Sequence, residues 1–118
     1  MQKILLLEDD ATMKSLLKTL LELEGFKAFY PTELTEQAIL ETISSVQPDV
    51  LLTDVLMNGI NGLEFIKKLP ADRPFRILMT SGMDVAIECQ EAGADGFILK
   101  PFMPEDLIRR IRDFSAEN

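Results

Sequence analysis

The sequence predicts an α/β fold in which helices cover both faces of a five-stranded parallel sheet. Short apolar runs alternate with segments of helical periodicity along the whole 118-residue chain. Most of these apolar runs are continuous rather than alternating, which is typical of strands that are buried on both faces. Five strand–helix units of this kind predict a doubly wound parallel sheet.

The first two units occupy the amino-terminal part of the chain. Residues 4–7 form the first strand, and the helix after it has apolar residues at the i, i+3, i+4 spacing. These residues are Met13, Leu16, Leu17, Leu20 and Leu21. Gly25 ends this helix, and residues 26–30 form a short second strand. The second helix ends before Pro48, and its apolar residues are Ala38, Ile39, Ile43 and Val46.

The third and fourth units carry clear start and stop signals. The third strand covers residues 50–53, and Asn61 is the predicted N-cap of a helix that stops at Pro70. The apolar residues of that helix are Leu63, Ile66 and Leu69. Residues 77–79 form the fourth strand, and a short fourth helix over 83–92 is closed by Gly93.

The fifth unit completes the fold. Residues 97–99 form the last strand, and the helix that follows has apolar residues at Leu107, Ile108, Ile111 and Phe114. Pro104 lies near the first helical position, and Glu105 and Asp106 occupy the first turn, as the helix dipole favours. The sequence therefore predicts a flavodoxin-like strand order 2-1-3-4-5.

The composition limits the classes of function. The length fits a single domain over residues 1–118, and the net charge of −8 argues against a direct nucleic-acid contact by this domain. No apolar stretch approaches the roughly 18 residues of a membrane span, and no signal peptide is evident. Cys89 is the one cysteine, which excludes an internal disulfide and fits a cytoplasmic protein. We expect Cys89 to be a small core residue. The absence of histidine excludes His-based catalysis.

Four of the five apolar runs end in a polar side chain that suits phosphate or metal chemistry. These side chains are Glu8 and Asp9, then Asp54, Thr80 and Lys100. Ligands of a doubly wound sheet bind outside the carboxyl ends of the strands, where the strand order reverses. In the predicted order this point lies between the first and third strands. The set suits a hard divalent cation beside a phosphoryl group.

Four segments, taken in order and at this spacing, resemble the receiver domain of two-component response regulators, which has the fold of chemotaxis regulators. The resemblance covers the whole chain. The segments are ILLLEDD at 4–10, PDVLLTD at 48–54 with MNGINGLE at 57–64, ILMTSG at 77–82, and GADGFILKPF at 93–102. Each segment alone is a weak signal, and their combination is a strong one.

The resemblance implies a phosphoacceptor and a metal site. Asp54 corresponds to the phosphoacceptor, and Glu8 and Asp9 correspond to the acidic pair that binds Mg²⁺. Asp9 would be a direct ligand, and Glu8 would act more through water. The Asp54 carboxylate and the backbone carbonyl of Leu56 would complete the ligands from the protein.

The resemblance also implies a switch and its partners. Lys100 would offset charge on the phosphoryl oxygens, Thr80 would be the switch hydroxyl, and Phe97 would be the switch aromatic residue. A histidine kinase or a histidine phosphotransfer protein would donate the phosphoryl group. The domain would not be an enzyme with an independent substrate, since it promotes only its own phosphorylation and dephosphorylation.

The expected output surface consists of the fourth helix, the fifth strand and the fifth helix. It would bind a downstream effector or output domain, or support a phosphorylation-dependent homodimer. Apolar atoms are expected on this surface beside three arginines. The residues are Val85, Ile87 and Ile108, with Arg109, Arg110 and Arg112.

Two further positions bear on the family pattern. Asn58 stands where the family usually has proline, so the loop after Asp54 is rich in turn-forming residues that tolerate positive φ. The Lys100–Pro101 bond corresponds to a peptide bond that is usually cis in the family.

These residues also allow other interpretations. Asp9 and Asp10 are also suited to cap the first helix. A degenerate receiver that docks without phosphorylation is the alternative function. A phosphatase of the haloacid-dehalogenase type would need an acid at Leu56, and a nucleotide-binding module would need a glycine-rich loop after the first strand.

Overall fold

The computed structural model describes residues 2–116, with the side chains from 2 to 114. The strands in chain order are β1 (Lys3–Leu7), β2 (Lys27–Phe29), β3 (Val50–Asp54), β4 (Leu56–Met57), β5 (Ile60–Asn61), β6 (Arg76–Ser81) and β7 (Gly96–Leu99). Five of them form a parallel sheet in the order β2-β1-β3-β6-β7. Strands β4 and β5 form a separate antiparallel hairpin. The predicted order of the five main strands is therefore confirmed.

Five helices cover the two faces of this sheet. They are α1 (Ala11–Leu23), α2 (Glu36–Val46), α3 (Gly62–Lys67), α4 (Ala86–Ala92) and α5 (Pro104–Ala116). Helices α1 and α5 contribute to one apolar cluster, and α2, α3 and α4 contribute to the other. Strand β1 supplies both clusters, because Ile4 and Leu6 face one side and Leu5 and Leu7 face the other. The doubly wound arrangement is confirmed.

Side chains at the helix starts define where three helices begin. The Asp10 carboxylate accepts the N–H of Met13 at 2.8 Å at the start of α1, and Thr35 caps α2. Asn61 caps α3 as predicted, and its side-chain oxygen accepts the N–H groups of the second and third residues of the helix at 3.0 and 3.2 Å. No helix in the described part of the chain is long and apolar enough to cross a membrane.

The fourth helix is shorter than predicted, because it begins at Ala86 rather than at residue 83. The Ser81 hydroxyl accepts the N–H of Met83 at 3.1 Å, and the Asp84 carboxylate accepts the N–H of Ala86 at 3.4 Å. Short polar side chains of this kind bond to nearby backbone groups and compete with helix formation. Helix α3 likewise ends at Lys67, before the predicted Leu69.

The prediction that the fifth strand is buried on both faces was wrong. In β7 only Ile98 is buried, Phe97 is half-buried and Leu99 is 47% exposed. Strand β7 lies at the edge of the sheet, so it has a neighbouring strand on one side only. By contrast, the inner strands β1, β3 and β6 are buried along nearly their whole length.

Candidate functional site

Three carboxylates meet at the carboxyl ends of β1 and β3. Glu8 and Asp9 follow β1, Asp54 ends β3, and one carboxylate oxygen of each lies within 4.8 Å of the others. The strand register explains this placement, because Leu7 lies beside Thr53 and the next residues leave the sheet together. The strand order reverses at this point, as the sequence predicted.

Asp54 is held by two neighbours from the next strands of the sheet. The Thr80 hydroxyl donates a hydrogen bond to Asp54 Oδ1 at 3.1 Å, and Lys100 Nζ donates to Asp54 Oδ2 at 2.9 Å. Thr80 lies beside Asp54 in the β3–β6 register, and the N–H of Lys100 donates to the carbonyl of Ser81 at 2.8 Å. Both carboxylate oxygens therefore have a donor, and the Asp54 side chain is still 13% exposed.

Glu8 is the most deeply buried of the three acids, with 6% of its surface exposed. Burial raises the pKa of its carboxyl, and the N–H of Asp10, which donates to Glu8 Oε2 at 3.2 Å, works in the opposite direction. The negative charges of Asp54 and Asp9 raise the pKa further, and the Lys100 ammonium, 3.8 Å away, lowers it. A bound cation would favour the ionised form of Glu8.

The two aspartates after Glu8 have different surroundings. Asp10 caps α1, whereas the exposed Asp9 accepts the backbone N–H of Asn58 at 2.8 Å through its Oδ2. The capping interpretation of this acidic pair therefore holds for Asp10 only. Asn58 and Gly59 form the turn of the β4–β5 hairpin, and Gly59 has a φ of +82°. Of these two turn residues only the glycine uses the predicted positive φ.

Gly62 brings α3 against the backbone that carries Asp54. A Cβ atom on Gly62 would lie 2.6 Å from the carbonyl oxygen of Asp54 and 2.7 Å from that of Val55. The Gly62 N–H donates to the Val55 carbonyl at 2.7 Å, and the Val55 N–H donates to the Thr80 carbonyl at 2.9 Å. The sequence does not indicate this role, because a glycine after an N-cap residue fits an ordinary turn equally well.

The remaining predicted residues have different surroundings. Phe97 is half-buried and packs against the same apolar cluster as Val85. The Leu56 side chain is 60% exposed at the start of the hairpin. The Lys100–Pro101 peptide bond is cis, as the resemblance implied.

Part of the predicted output surface requires correction. Ile108 is only 5% exposed and packs in the cluster formed by α1 and α5, because it faces the sheet. Arg112 reaches the residue after α1 instead, where it donates to the Glu24 carboxylate at 3.1 Å. Exposed apolar surface on the predicted side comes from Ile87, at 70%, and Leu99, at 47%.

Cys89 lies in the core, as expected. It is 1% exposed, and burial, with a smaller contribution from Glu88, raises the pKa of its thiol to about 11. The thiol is therefore not an activated group.

The geometry combines a carboxylate with a hydroxyl, an ammonium and two further acids. Such a cluster offers oxygen ligands to a hard cation and positive charge to an incoming anion.

A family model described as the response regulator receiver domain matches residues 4–112 of this chain.

Curated relatives are similar over nearly the whole chain. The chain is 35% identical over 115 residues to the DNA-binding response regulator MtrA of Mycobacterium tuberculosis, which covers 94% of this chain and 49% of MtrA. It is 37% identical over 115 residues to the transcriptional regulatory protein CpxR of Escherichia coli, which covers 95% of this chain and 48% of CpxR. The chain spans about half the length of the curated relatives it matches.

Solved structures are similar as well. The BeF3-activated N-terminal receiver domain of Klebsiella pneumoniae RstA superposes with a TM-score of 0.85 at 26% identity, and covers 95% of this chain and 97% of that one. The receiver domain of the Francisella response regulator 1452 superposes with a TM-score of 0.87 at 24% identity, and covers 99% and 98%. The second likeness bears on the fold alone.

Proposed function

Because this chain belongs to the response regulator receiver domain family, we propose that it is a phosphorylation-dependent switch in which Asp54 accepts the phosphoryl group. We treat residues 1–118 as one receiver domain that acts in the cytoplasm. The observation that carries the proposal is the Asp54 carboxylate, which receives hydrogen bonds from Thr80 and Lys100 beside Glu8 and Asp9.

Mg²⁺ is the proposed cofactor of this site. Asp9, Asp54 and the backbone carbonyl of Leu56 would bind it directly, and Glu8 would act through water. The donor set fits, because Mg²⁺ prefers carboxylate and carbonyl oxygens and keeps several waters. When bound, Mg²⁺ offsets the negative charges of the carboxylates and the phosphoryl oxygens, which otherwise repel one another.

The transfer itself needs a nucleophile and positive charge in fixed positions. An oxygen of Asp54 forms a bond to phosphorus while the bond from phosphorus to the donor's imidazole nitrogen breaks. That nitrogen keeps the electron pair and takes up a proton from solvent. Lys100 and Thr80 then bond to phosphoryl oxygens instead of the Asp54 carboxylate, and both start within hydrogen-bond distance of that carboxylate.

The product is an acyl phosphate, and hydrolysis by water returns Asp54 and releases inorganic phosphate. The domain promotes these two reactions on itself and has no independent substrate. In the phosphorylated state Thr80 would be drawn toward the phosphoryl group, and Phe97 would turn into the space that Thr80 leaves. Both conformations exist beforehand, and phosphorylation shifts their populations.

The phosphodonor is a histidine kinase or a histidine phosphotransfer protein. An apolar groove of about 660 Å³ lies beside Lys100 and runs between α1 and the loop after β7. Its lining includes Leu16, which is 60% exposed, and Met13, which is 37% exposed, although both belong to the apolar stripe of α1. We assign the donor to this groove, because its apolar lining includes Lys100, which donates to the Asp54 carboxylate.

The output partner binds the surface formed by α4, β7 and α5. Its contacts are the apolar Ile87 and Leu99 and the exposed Arg109 and Arg110. The partner is an effector, an output domain or a second receiver in a phosphorylation-dependent homodimer. MtrA and CpxR are named as DNA-binding and transcriptional regulators. A DNA-binding output domain is therefore a partner of the right class. Because the receiver domain has a net charge of −8, that partner would make the contact with DNA.

The test is the intact mass of the chain after incubation with acetyl phosphate and Mg²⁺. The parent should gain one phosphoryl group, and Asp54→Ala or omission of Mg²⁺ should abolish the gain. Asp72→Ala, which changes an exposed loop acid, is the matched control and should be phosphorylated like the parent. A parent that gains no phosphoryl group would favour the degenerate receiver, a docking module that works without phosphorylation.

A further inference from the structure

We propose that the backbone N–H of Asn58 is a positioning group for the cation site, because it fixes the Asp9 carboxylate before the cation binds. This inference rests on the proposed function, since it concerns the metal site named there. It adds a residue outside the predicted ligand set and assigns the role to a backbone atom rather than to the Asn58 side chain.

The hydrogen bond itself is well formed and long-range in sequence. Asn58 N lies 2.8 Å from Asp9 Oδ2, and the two residues are 49 positions apart. Asp9 is exposed. Among the described residues 2–114, the Asn58 N–H is the hydrogen-bond donor to its carboxylate. An exposed aspartate without such a bond would sample several rotamers. The bond engages Oδ2 and leaves Oδ1 to act as a ligand.

The position of the N–H is set by the hairpin and not by the site. Met57 and Ile60 pair across β4 and β5, and they are only 6% and 9% exposed because they pack into the core. Between them, Gly59 completes the turn with a φ of +82°. The donor is therefore anchored by buried residues on both sides of the turn.

The same hairpin carries Leu56, whose backbone carbonyl is the third proposed ligand. The Asn58–Asp9 bond thus connects the strand that supplies one ligand with the loop that supplies another. Hydrogen bonds that orient a ligating carboxylate typically contribute 10- to 100-fold to metal affinity. A neutral N–H on one oxygen is compatible with a cation on the other, so we expect the bond to assist binding rather than compete with it.

Proline is the substitution that deletes a backbone N–H. The dissociation constant of Mn²⁺, used alone as a spectroscopic substitute for Mg²⁺, is measured from the electron paramagnetic resonance signal of the free ion. Asn58→Pro should bind Mn²⁺ about 10-fold more weakly than the parent. Asn58→Ala keeps the N–H and removes the side chain, so it should bind like the parent. An Asn58→Pro variant that binds as tightly as the parent, or more tightly, would overturn the inference and leave the cation site intact.

Hydrogen exchange in the parent chain makes the test independent of how well the proline variant folds. The Asn58 amide should exchange more slowly in the parent than in Asp9→Ala, and its protection should persist when Mg²⁺ is added. Loss of that protection on adding Mg²⁺ would mean that the bond competes with the cation, which overturns the inference. A parent that binds no Mn²⁺ would overturn the proposed cation site and this inference with it.

Discussion

At the scale of single residues, Gly62 determines how closely α3 approaches the strand that carries Asp54. Its position leaves no space for a side chain, since a Cβ atom would meet two backbone carbonyl oxygens at 2.6 and 2.7 Å. Backbone atoms cannot rotate away as a flexible side chain can. The Gly62→Ala change must therefore shift either α3 or the end of β3.

We expect Gly62→Ala to lower the free energy of unfolding by about 1–3 kcal/mol, as overpacking of an interior site usually does. The measurement is urea denaturation in the absence of metal. Gly82→Ala is the matched control, because nothing lies within 4 Å of the position of its Cβ atom. If both variants unfolded at the same urea concentration, the close contact at Gly62 would not limit which side chain this position tolerates.

The division of roles between Asp9 and Asp10 is also decided at this scale. Sequence alone identifies both as acids after a strand and before a helix, and either one suits an N-cap. In the structure the two acids accept hydrogen bonds from different backbone groups. Asp10 accepts the N–H of Met13, and Asp9 accepts the N–H of Asn58. Neither donor is marked by its side chain, so a pattern of residue types contains no signal for this assignment.

At the scale of elements, Arg73 connects the loop before β6 to the turn before β7. Its Nη2 donates to the Gly93 carbonyl at 2.7 Å and to Asp95 Oδ2 at 3.1 Å, and its Nη1 donates to the Pro70 carbonyl at 3.2 Å. The Arg73 side chain is 9% exposed. Asp95 also accepts the N–H of Ile77 at 2.8 Å, so one carboxylate joins the start of β6 to the chain leading into β7.

Arg73→Ala should lower the free energy of unfolding by about 2 kcal/mol, because it removes charge-assisted hydrogen bonds from a largely buried position. The control is Arg109→Ala, since Arg109 forms an exposed pair with Asp106 on α5. Exposed pairs contribute about 0–1 kcal/mol. Urea denaturation measures both variants, and equal losses of stability would contradict a special role for Arg73.

Sequence patterns could not predict some features of the elements, and the reasons are physical. The strands of the β4–β5 hairpin have two residues each, which is too short to show an alternating pattern. The start of α4 depends on the Ser81 and Asp84 side chains, which occupy backbone donors that a helix would otherwise use. Partial exposure of β7 depends on its edge position, which is a property of the assembled sheet.

At the scale of the whole molecule, the sheet order and the location of the site were predictable together. Continuous apolar runs indicate strands buried on both faces, and a doubly wound sheet brings their carboxyl ends to one edge. Glu8, Asp54, Thr80 and Lys100 could therefore be placed near each other from their positions after four runs. The contact at Gly62 and the bond at Asn58 could not, because each depends on where the backbone lies and not on which side chain it carries.

The clustered acids of the site also affect the folding stability of the whole domain. In the metal-free protein, burial and the charges of Asp54 and Asp9 raise the pKa of Glu8 above its ordinary value of 4.5. A carboxyl whose pKa is higher in the folded state binds its proton more tightly there. Its contribution to stability is therefore lost as the pH rises from 4.5 through the raised pKa, and at neutral pH the ionised Glu8 carboxylate opposes folding.

Mg²⁺ should relieve this cost, because it binds the folded chain and not the unfolded one. At a free concentration of about 100 times its dissociation constant, we expect the free energy of unfolding at pH 7 to rise by about 2.7 kcal/mol. The gain should shrink as the pH falls toward 4.5, since protons compete with the cation for Glu8. Urea denaturation with and without Mg²⁺, at matched ionic strength, measures both effects. Asp9→Asn should lose most of the gain, and an equal gain in that variant would place the stabilising cation somewhere other than this edge of the sheet.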